Sequence, residues 1–89
     1  MRFSLGQTVI TPGAQRALEA AGQTPLEFLT RHSAGDWGEV SREDAAENEL
    51  SVGKGFRILS AYTLKNADRI WVITEADRSS TCILLPEEY

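Results

Sequence analysis

The chain has 89 residues, 13 acidic against 9 basic side chains, a formal charge of −4 and 42% hydrophobic residues. That length supports one hydrophobic core and no second one, and the balance of apolar and charged residues is that of a folded domain rather than a disordered chain. The deficit of Lys and Arg argues against a general nucleic-acid or membrane-surface binder, whose affinity comes from basic groups that displace counterions.

Taken in chain order, Phe3 to Thr11 predicts a first strand, with Phe3, Leu5 and Val9 on one face and Gly6 interrupting the alternation. Thr11-Pro12 predicts a helix start, Thr as N-cap and Pro at the first helical position, and Gly22 stops that helix after Ala21. Thr24-Pro25-Leu26-Glu27 repeats the start as a capping box, and a second short helix carries Leu26, Phe28 and Leu29 before Gly35. After the turn Gly35-Asp36-Trp37-Gly38, Ser41 caps a third helix with acids in its first turn, where the helix dipole favours them. Its apolar stripe is narrow, and Gly53-Lys54-Gly55 ends it. Phe56 to Leu64, Ile70 to Thr74 and Thr81 to Leu85 read as three strands of a meander, with turns at Lys65-Asn66-Ala67-Asp68 and across 74–81, and Pro86 ends the last strand. The expected fold is α+β: short helices packed on one face of a three- to four-stranded antiparallel sheet, order β-α-α-α-β-β-β, in a single domain over residues 1–89. The place of the first strand in the sheet stays open.

The acidity is concentrated. Residues 35–53 carry Asp36, Glu39, Glu43, Asp44, Glu47 and Glu49 against Arg42, a balance of −5, and the other seventy residues sum to +1. Carboxylates at helical spacing can dock on a basic partner, or they can form a solvated helix face. Trp37, flanked by glycines, can anchor a partner when exposed or close the core when buried, with Trp71 as a neighbour. The 74–81 turn holds Glu75, Asp77, Arg78 and four hydroxyl residues. Such a group can bind an anion or a carboxylate, and it is also what a hairpin turn uses to bond its own backbone. A sheet face presenting Arg57, Tyr62, Trp71 and Arg78 would suit single-stranded nucleic acid, since bases stack on aromatic rings and guanidinium planes. His32 reads as a helix-end residue at the dipole's negative pole.

The single Cys82 allows no internal disulfide, and its apolar neighbours suggest a buried thiol. No leader pattern opens the chain and no apolar run approaches the roughly 20 residues of a membrane helix, so a cytoplasmic protein is expected. One His and one Cys without paired spacing predict no metal site, and no cofactor is expected. With no phosphate loop and no evident nucleophile–base pair, an enzyme is the third reading: a hydrolase would have to assemble its site from Glu75, Asp77, Arg78 and His32, and a Cys-His pair would need Cys82 to reach His32.

Several stretches carry a family resemblance: His32-Ser33-Ala34-Gly35-Asp36-Trp37-Gly38; Glu43-Asp44-Ala45-Ala46-Glu47-Asn48-Glu49; Arg57 to Tyr62; and Trp71 to Thr81. With Leu5-Gly6-Gln7, Thr11 to Ala14 and the ending Leu84 to Tyr89, they resemble the small uncharacterised bacterial proteins labelled "plasmid-related protein", found on plasmids and integrated mobile elements. Cys82 departs from a position where relatives often carry Thr, and Asn66-Ala67-Asp68 stands where a Gly-containing turn is usual. The resemblance implies an accessory role on mobile DNA, with anti-defence factors and antitoxin-like regulators among such roles. The expected function is therefore a non-enzymatic protein-interaction module that binds a host or element-encoded protein, as a monomer or homodimer. Its candidate contacts are Trp37, Glu43, Asp44, Glu47, Arg57, Glu75, Asp77 and Arg78. The alternative is a single-stranded nucleic-acid-binding or RNA-processing domain using the sheet face.

Overall fold

The computed structural model describes every residue, Met1–Tyr89. Strand β1 (Gln7–Ile10) is followed by helices α1 (Pro12–Ala21), α2 (Pro25–Ser33) and α3 (Arg42–Lys54), strands β2 (Ile58–Thr63), β3 (Arg69–Thr74) and β4 (Ser80–Leu84), and a 3-10 helix at Pro86–Glu88. The α+β class is as expected. The sheet is mixed rather than antiparallel: its spatial order is β1-β4-β3-β2, and β1 runs parallel to β4. Three successive antiparallel strands leave β4 pointing the same way as β2, and the helices return the chain so that β1 joins the free edge of β4 in that direction. A parallel neighbour needs such a long crossover, whereas the β2–β3 and β3–β4 hairpins need only short turns.

The helix ends obey local chemistry. Thr11 Oγ1 accepts from Ala14 N–H and Ser41 Oγ from Asp44 N–H, each satisfying a first-turn amide. Gly22 and Gly55 close α1 and α3 in the left-handed conformation. The capping box expected at Thr24 does not form: its side chain makes no cap bond, and Glu27 accepts instead from Gln23 Nε2 at 3.1 Å.

Side chains of Ile58, Ser60, Tyr62, Ile70, Val72, Thr74, Thr81 and Ile83 alternate toward the helices and are buried. Ala14, Ala17 and Leu18 from α1 and Phe28 from α2 pack against the apolar ones as the main core. Burying a residue such as Leu18 or Phe28 is worth about 1.5–3 kcal/mol. A smaller cluster of Phe3, Trp37 and Ile58 lies beside α3 with Leu5, Val40, Ala45 and Val52. The predicted first strand is shorter than expected because Gly6 turns at φ +64°, bringing the chain so close to Arg78 and Ser79 that a Cβ there would meet their carbonyl oxygens at 2.4 Å. No helix is long and apolar enough to cross a membrane.

The β2 edge is sealed by the segment before α3. Ala61 N–H donates to Trp37 O, and Glu39 N–H donates to Ala61 O. Gly38 makes this possible: at φ +73°, an added Cβ would lie 2.0 Å from the Ala61 carbonyl oxygen. A Gly38→Ala variant is expected to lose about 3 kcal/mol or more, since both the backbone conformation and the close approach exclude a side chain. Urea unfolding checks this. The β2–β3 turn poses the opposite case. Ala67 holds φ +74°, a left-handed conformation that glycine adopts without the Cβ penalty, so Ala67→Gly should raise stability by about 0.5–1 kcal/mol in the same assay.

Candidate functional site

The structure separates the candidate residues into those that hold the fold and those left free. Trp37 is buried at 6% exposure. Its ring stacks on Phe3 at 6.1 Å between centroids and meets the edge of His32 at 6.0 Å, not Trp71. Its Nε1–H donates to Glu49 at 3.0 Å. Glu49 in turn receives both terminal nitrogens of Arg2, at 3.0 and 2.7 Å. The Arg2 bonds first and the Trp37 bond second hold its carboxyl near pKa 2. One acid of α3 is thus a strut between the helix, the N-terminal segment and Trp37.

The 74–81 turn is also internally occupied. Arg78 sits at φ +61°, and its guanidinium donates to the carbonyls of Phe56 at 2.7 Å, Glu75 at 3.1 Å, Ala76 at 3.2 Å and Ser51 at 2.7 Å. It joins the β3–β4 hairpin to the C-terminal end of α3. Asp77 accepts from Ser79 N–H at 3.0 Å, and the Ser79 side chain first and this backbone bond second hold its carboxyl below the usual range. Glu75 is exposed, and its side chain has no hydrogen-bond partner within the turn.

Glu43, Asp44 and Glu47 are exposed on two successive turns of α3 and enter none of the three ion pairs. Asp44 and Glu47 line one side of a cleft of about 260 Å³, with Asn48 at its base and Arg57 and Leu59 on the strand side. Asn48 fixes that geometry: its Nδ2 donates to Leu59 O at 2.8 Å, and its Oδ1 accepts from Leu59 N–H at 3.2 Å. The structure therefore brings Asp44, Glu47 and Arg57 together, and leaves Trp37 and the 74–81 group elsewhere.

The four residues of the sheet-face reading do not share a surface. Tyr62 points into the helix side with no exposure, donating its hydroxyl to Asp36 O at 2.6 Å. Arg78 is committed to the carbonyls named above. Trp71 lies on the opposite face, where Tyr89 meets its ring edge at 5.6 Å and Arg57 lies 5.5 Å from the Tyr89 ring centre.

Composition and spacing missed a buried polar network. His32 has no exposed surface. Its Nδ1 lies 2.6 Å from Ser60 Oγ and its Nε2 2.9 Å from Thr74 Oγ1. Thr74 Oγ1 is 2.7 Å from Thr81 Oγ1, which donates to Leu5 O at 2.7 Å. Proton accounting fixes three of the bonds. Thr81 gives its only hydrogen to the carbonyl, so it accepts from Thr74, and Thr74 therefore accepts from His32 Nε2–H. Burial keeps the imidazole neutral, so Nδ1 carries no hydrogen and accepts from the Ser60 hydroxyl. Alternation of Thr74 and Thr81 toward the helix side was the available signal, but the partner on α2 could not be read from it. Cys82 alternates to the opposite face of β4, so it does not meet His32. No cluster of three or more His, Cys, Asp or Glu side chains is arranged to hold a metal ion.

No family model matches the chain, and neither a curated protein nor a solved structure matches it.

Burial, and secondarily the charge of Arg78, lower the His32 pKa from 6.5 to about 4. Between those values the unfolded chain takes up a proton that the folded protein refuses, so stability is complete above pH 6.5 and falls as pH drops toward 4. The expected loss is about 3 kcal/mol, at about 1.4 kcal/mol per pH unit. Urea unfolding across that range, with the His32 imidazole resonance titrating near pH 4, tests it.

Proposed function

We propose that the chain is a non-enzymatic protein-interaction module that receives a basic segment of a partner on the outer face of α3. The observation that carries this reading is the distribution of unsatisfied charge. Seven of the 13 acids have side-chain partners: Glu27, Asp36, Glu39, Glu49, Asp68, Asp77 and Glu88. Of the six without one, Glu43, Asp44 and Glu47 cluster on α3 while Glu19, Glu75 and Glu87 are dispersed. Leu50 follows Glu43 and Glu47 at helical spacing and is 54% exposed, so the same face offers an apolar anchor point. The cleft beside it, with Arg57 opposite Asp44 and Glu47, gives a mixed-sign rim that orients a partner. The family resemblance supports an accessory role on a bacterial mobile element, with a host or element-encoded protein as partner and anti-defence among the roles; a cytoplasmic setting is part of the same proposal.

The test is affinity capture from bacterial lysate, half of it nuclease-treated, followed by measurement of the captured protein with variants. Replacing Glu43, Asp44 and Glu47 together by Lys should abolish binding, and Leu50→Ala should weaken it about tenfold, or about 1.4 kcal/mol. Acids in the first turn also stabilise the helix by about 0.3–1 kcal/mol each, so the unfolding midpoint of the Lys variant is measured beside its affinity, and a folded domain that no longer binds separates binding from folding. Unaltered affinity in the Lys variant overturns the reading, as does a partner lost on nuclease treatment.

A further inference from the structure

The two edges of the sheet are treated differently. The β2 edge is covered by Trp37–Glu39, with its main-chain groups paired to Ala61. The β1 edge has no such cover. Gln7 N–H donates to Ser79 O and Thr11 N–H to Ile83 O, so the alternate residues of the parallel ladder, Thr8 and Ile10, turn their N–H and C=O groups outward. No strand pairs with that side, and no loop or side-chain hydrogen bond reaches it. The usual defences of an edge strand are also missing, since Gln7-Thr8-Val9-Ile10 contains no charge, no proline and no bulge, and Val9 is 45% exposed.

We infer that β1 is a self-association edge, pairing antiparallel with β1 of a second copy of this chain. Two features select a second copy. The first is charge. Each copy carries −4, and the 13 residues Phe3 to Gln15 form the longest stretch without an ionisable side chain. Two acidic molecules meet with least repulsion there, while the acids of α3 stay away. The second is register. A two-fold axis at Val9 pairs Thr8 with Ile10 of the partner copy, and Ile10 with its Thr8, so all four outward groups on each copy find partners. An axis at Thr8 would instead oppose Ile10 to Gly6, whose φ of +64° takes it out of the strand. The axis at Val9 makes Val9 face its own counterpart as a non-hydrogen-bonded pair, the close pairing that favours side-chain contact. The result is one continuous eight-stranded sheet with isologous symmetry.

Sedimentation equilibrium from micromolar to millimolar protein is the first measurement. The expected mass rises with concentration toward twice the 9.8 kDa of the chain. Thr8→Pro removes an outward N–H without touching the β4 ladder, and Val9→Lys opposes two ammonium groups across the axis. Each should hold the mass at one chain while the far-UV spectrum and unfolding midpoint report a folded domain. A positive test that needs no loss of function uses Val9→Cys with Cys82→Ser, the latter because Cys82 is the β4 neighbour of Val9. Mild oxidation should then give a disulfide-linked dimer nearly completely, because Cα atoms in a non-hydrogen-bonded antiparallel pair lie within disulfide range. A wild-type mass that stays at one chain up to millimolar concentration overturns the proposal. So does a dimer that survives both edge variants, which would place the contact elsewhere, or a β1 edge that remains monomeric and is protected only by a different protein.

Discussion

The directed chain of hydrogen bonds from Ser60 through His32, Thr74 and Thr81 to the Leu5 carbonyl is the constraint on which the rest of the molecule depends. It crosses β2, α2, β3, β4 and the segment before β1, so it fixes the seating of the second helix on the sheet and the entry of the first strand together. A buried polar atom left without its partner costs about 1–3 kcal/mol, and here every side-chain polar atom that is buried has one. With each hydroxyl committed in one direction, the network admits one tautomer of one neutral imidazole. Arg78 is placed nearby, stacked 5.6 Å from the centre of the Phe3 ring, and its fixed charge adds to the penalty on a second proton. The same guanidinium closes the β3–β4 turn and the end of α3, so local turn geometry and the neutrality of the core are set by one residue.

This use of cations inside the framework explains why α3 is left acidic. Arg2 is taken by Glu49, Arg31 by Asp36 while also lying 4.5 Å from the Tyr62 ring centre, and Arg78 by main-chain carbonyls. Exposed ion pairs contribute little individually, so the benefit of Arg2 and Arg31 lies in where they pin the chain rather than in their Coulomb energy. Glu43, Asp44 and Glu47 have no such duty and remain free on a helix held from its inner side by Asn48, bonded to Leu59, and by the Ser51 carbonyl, which accepts from Arg78. A helix with so few buried apolar side chains is kept in place by Asn48 bridging to Leu59 and by Glu49 bridging to Arg2. Glu43, Asp44 and Glu47 on its outer face make no contact that holds it to the sheet.

Local signals carried much of the fold in the sequence. The Thr11 and Ser41 caps, the glycine stops and the three-strand meander depend on residues within a few positions of each other, and they appear with shifts of one or two residues. What could not be read depended on distant partners. Nothing in Gln7–Ile10 states that its neighbour is β4, 73 residues away, or that the pairing is parallel. The cap at Thr24 had the right residues, yet Glu27 found Gln23 instead, a case of tertiary and side-chain competition over a local motif. The polar 74–81 turn was visible as a cluster, but its largest member, Arg78, turned to Phe56 and Ser51, which no turn motif encodes. Glu43, Asp44 and Glu47 were legible as a free face because exposure on a poorly amphipathic helix is itself a local property.

Sheet order also relates the two exposed features to each other. α3 bonds to β2 through Asn48, and β2 is the strand farthest from β1. Strands in a sheet are spaced about 4.8 Å apart, so an eight-stranded sheet joined at β1 spans roughly 34 Å between its two β2 strands. The acidic faces of the two copies would then stand at opposite ends of one rigid sheet, beyond the roughly 10 Å over which charges in dilute salt sense each other. Such a pair can engage two basic segments at once without mutual repulsion. A partner presenting those segments at a matching separation would gain from the second contact being intramolecular, whereas a partner with one segment would not. Pairing at the uncharged edge therefore separates the acidic faces and leaves both accessible, which a contact through α3 itself could not do.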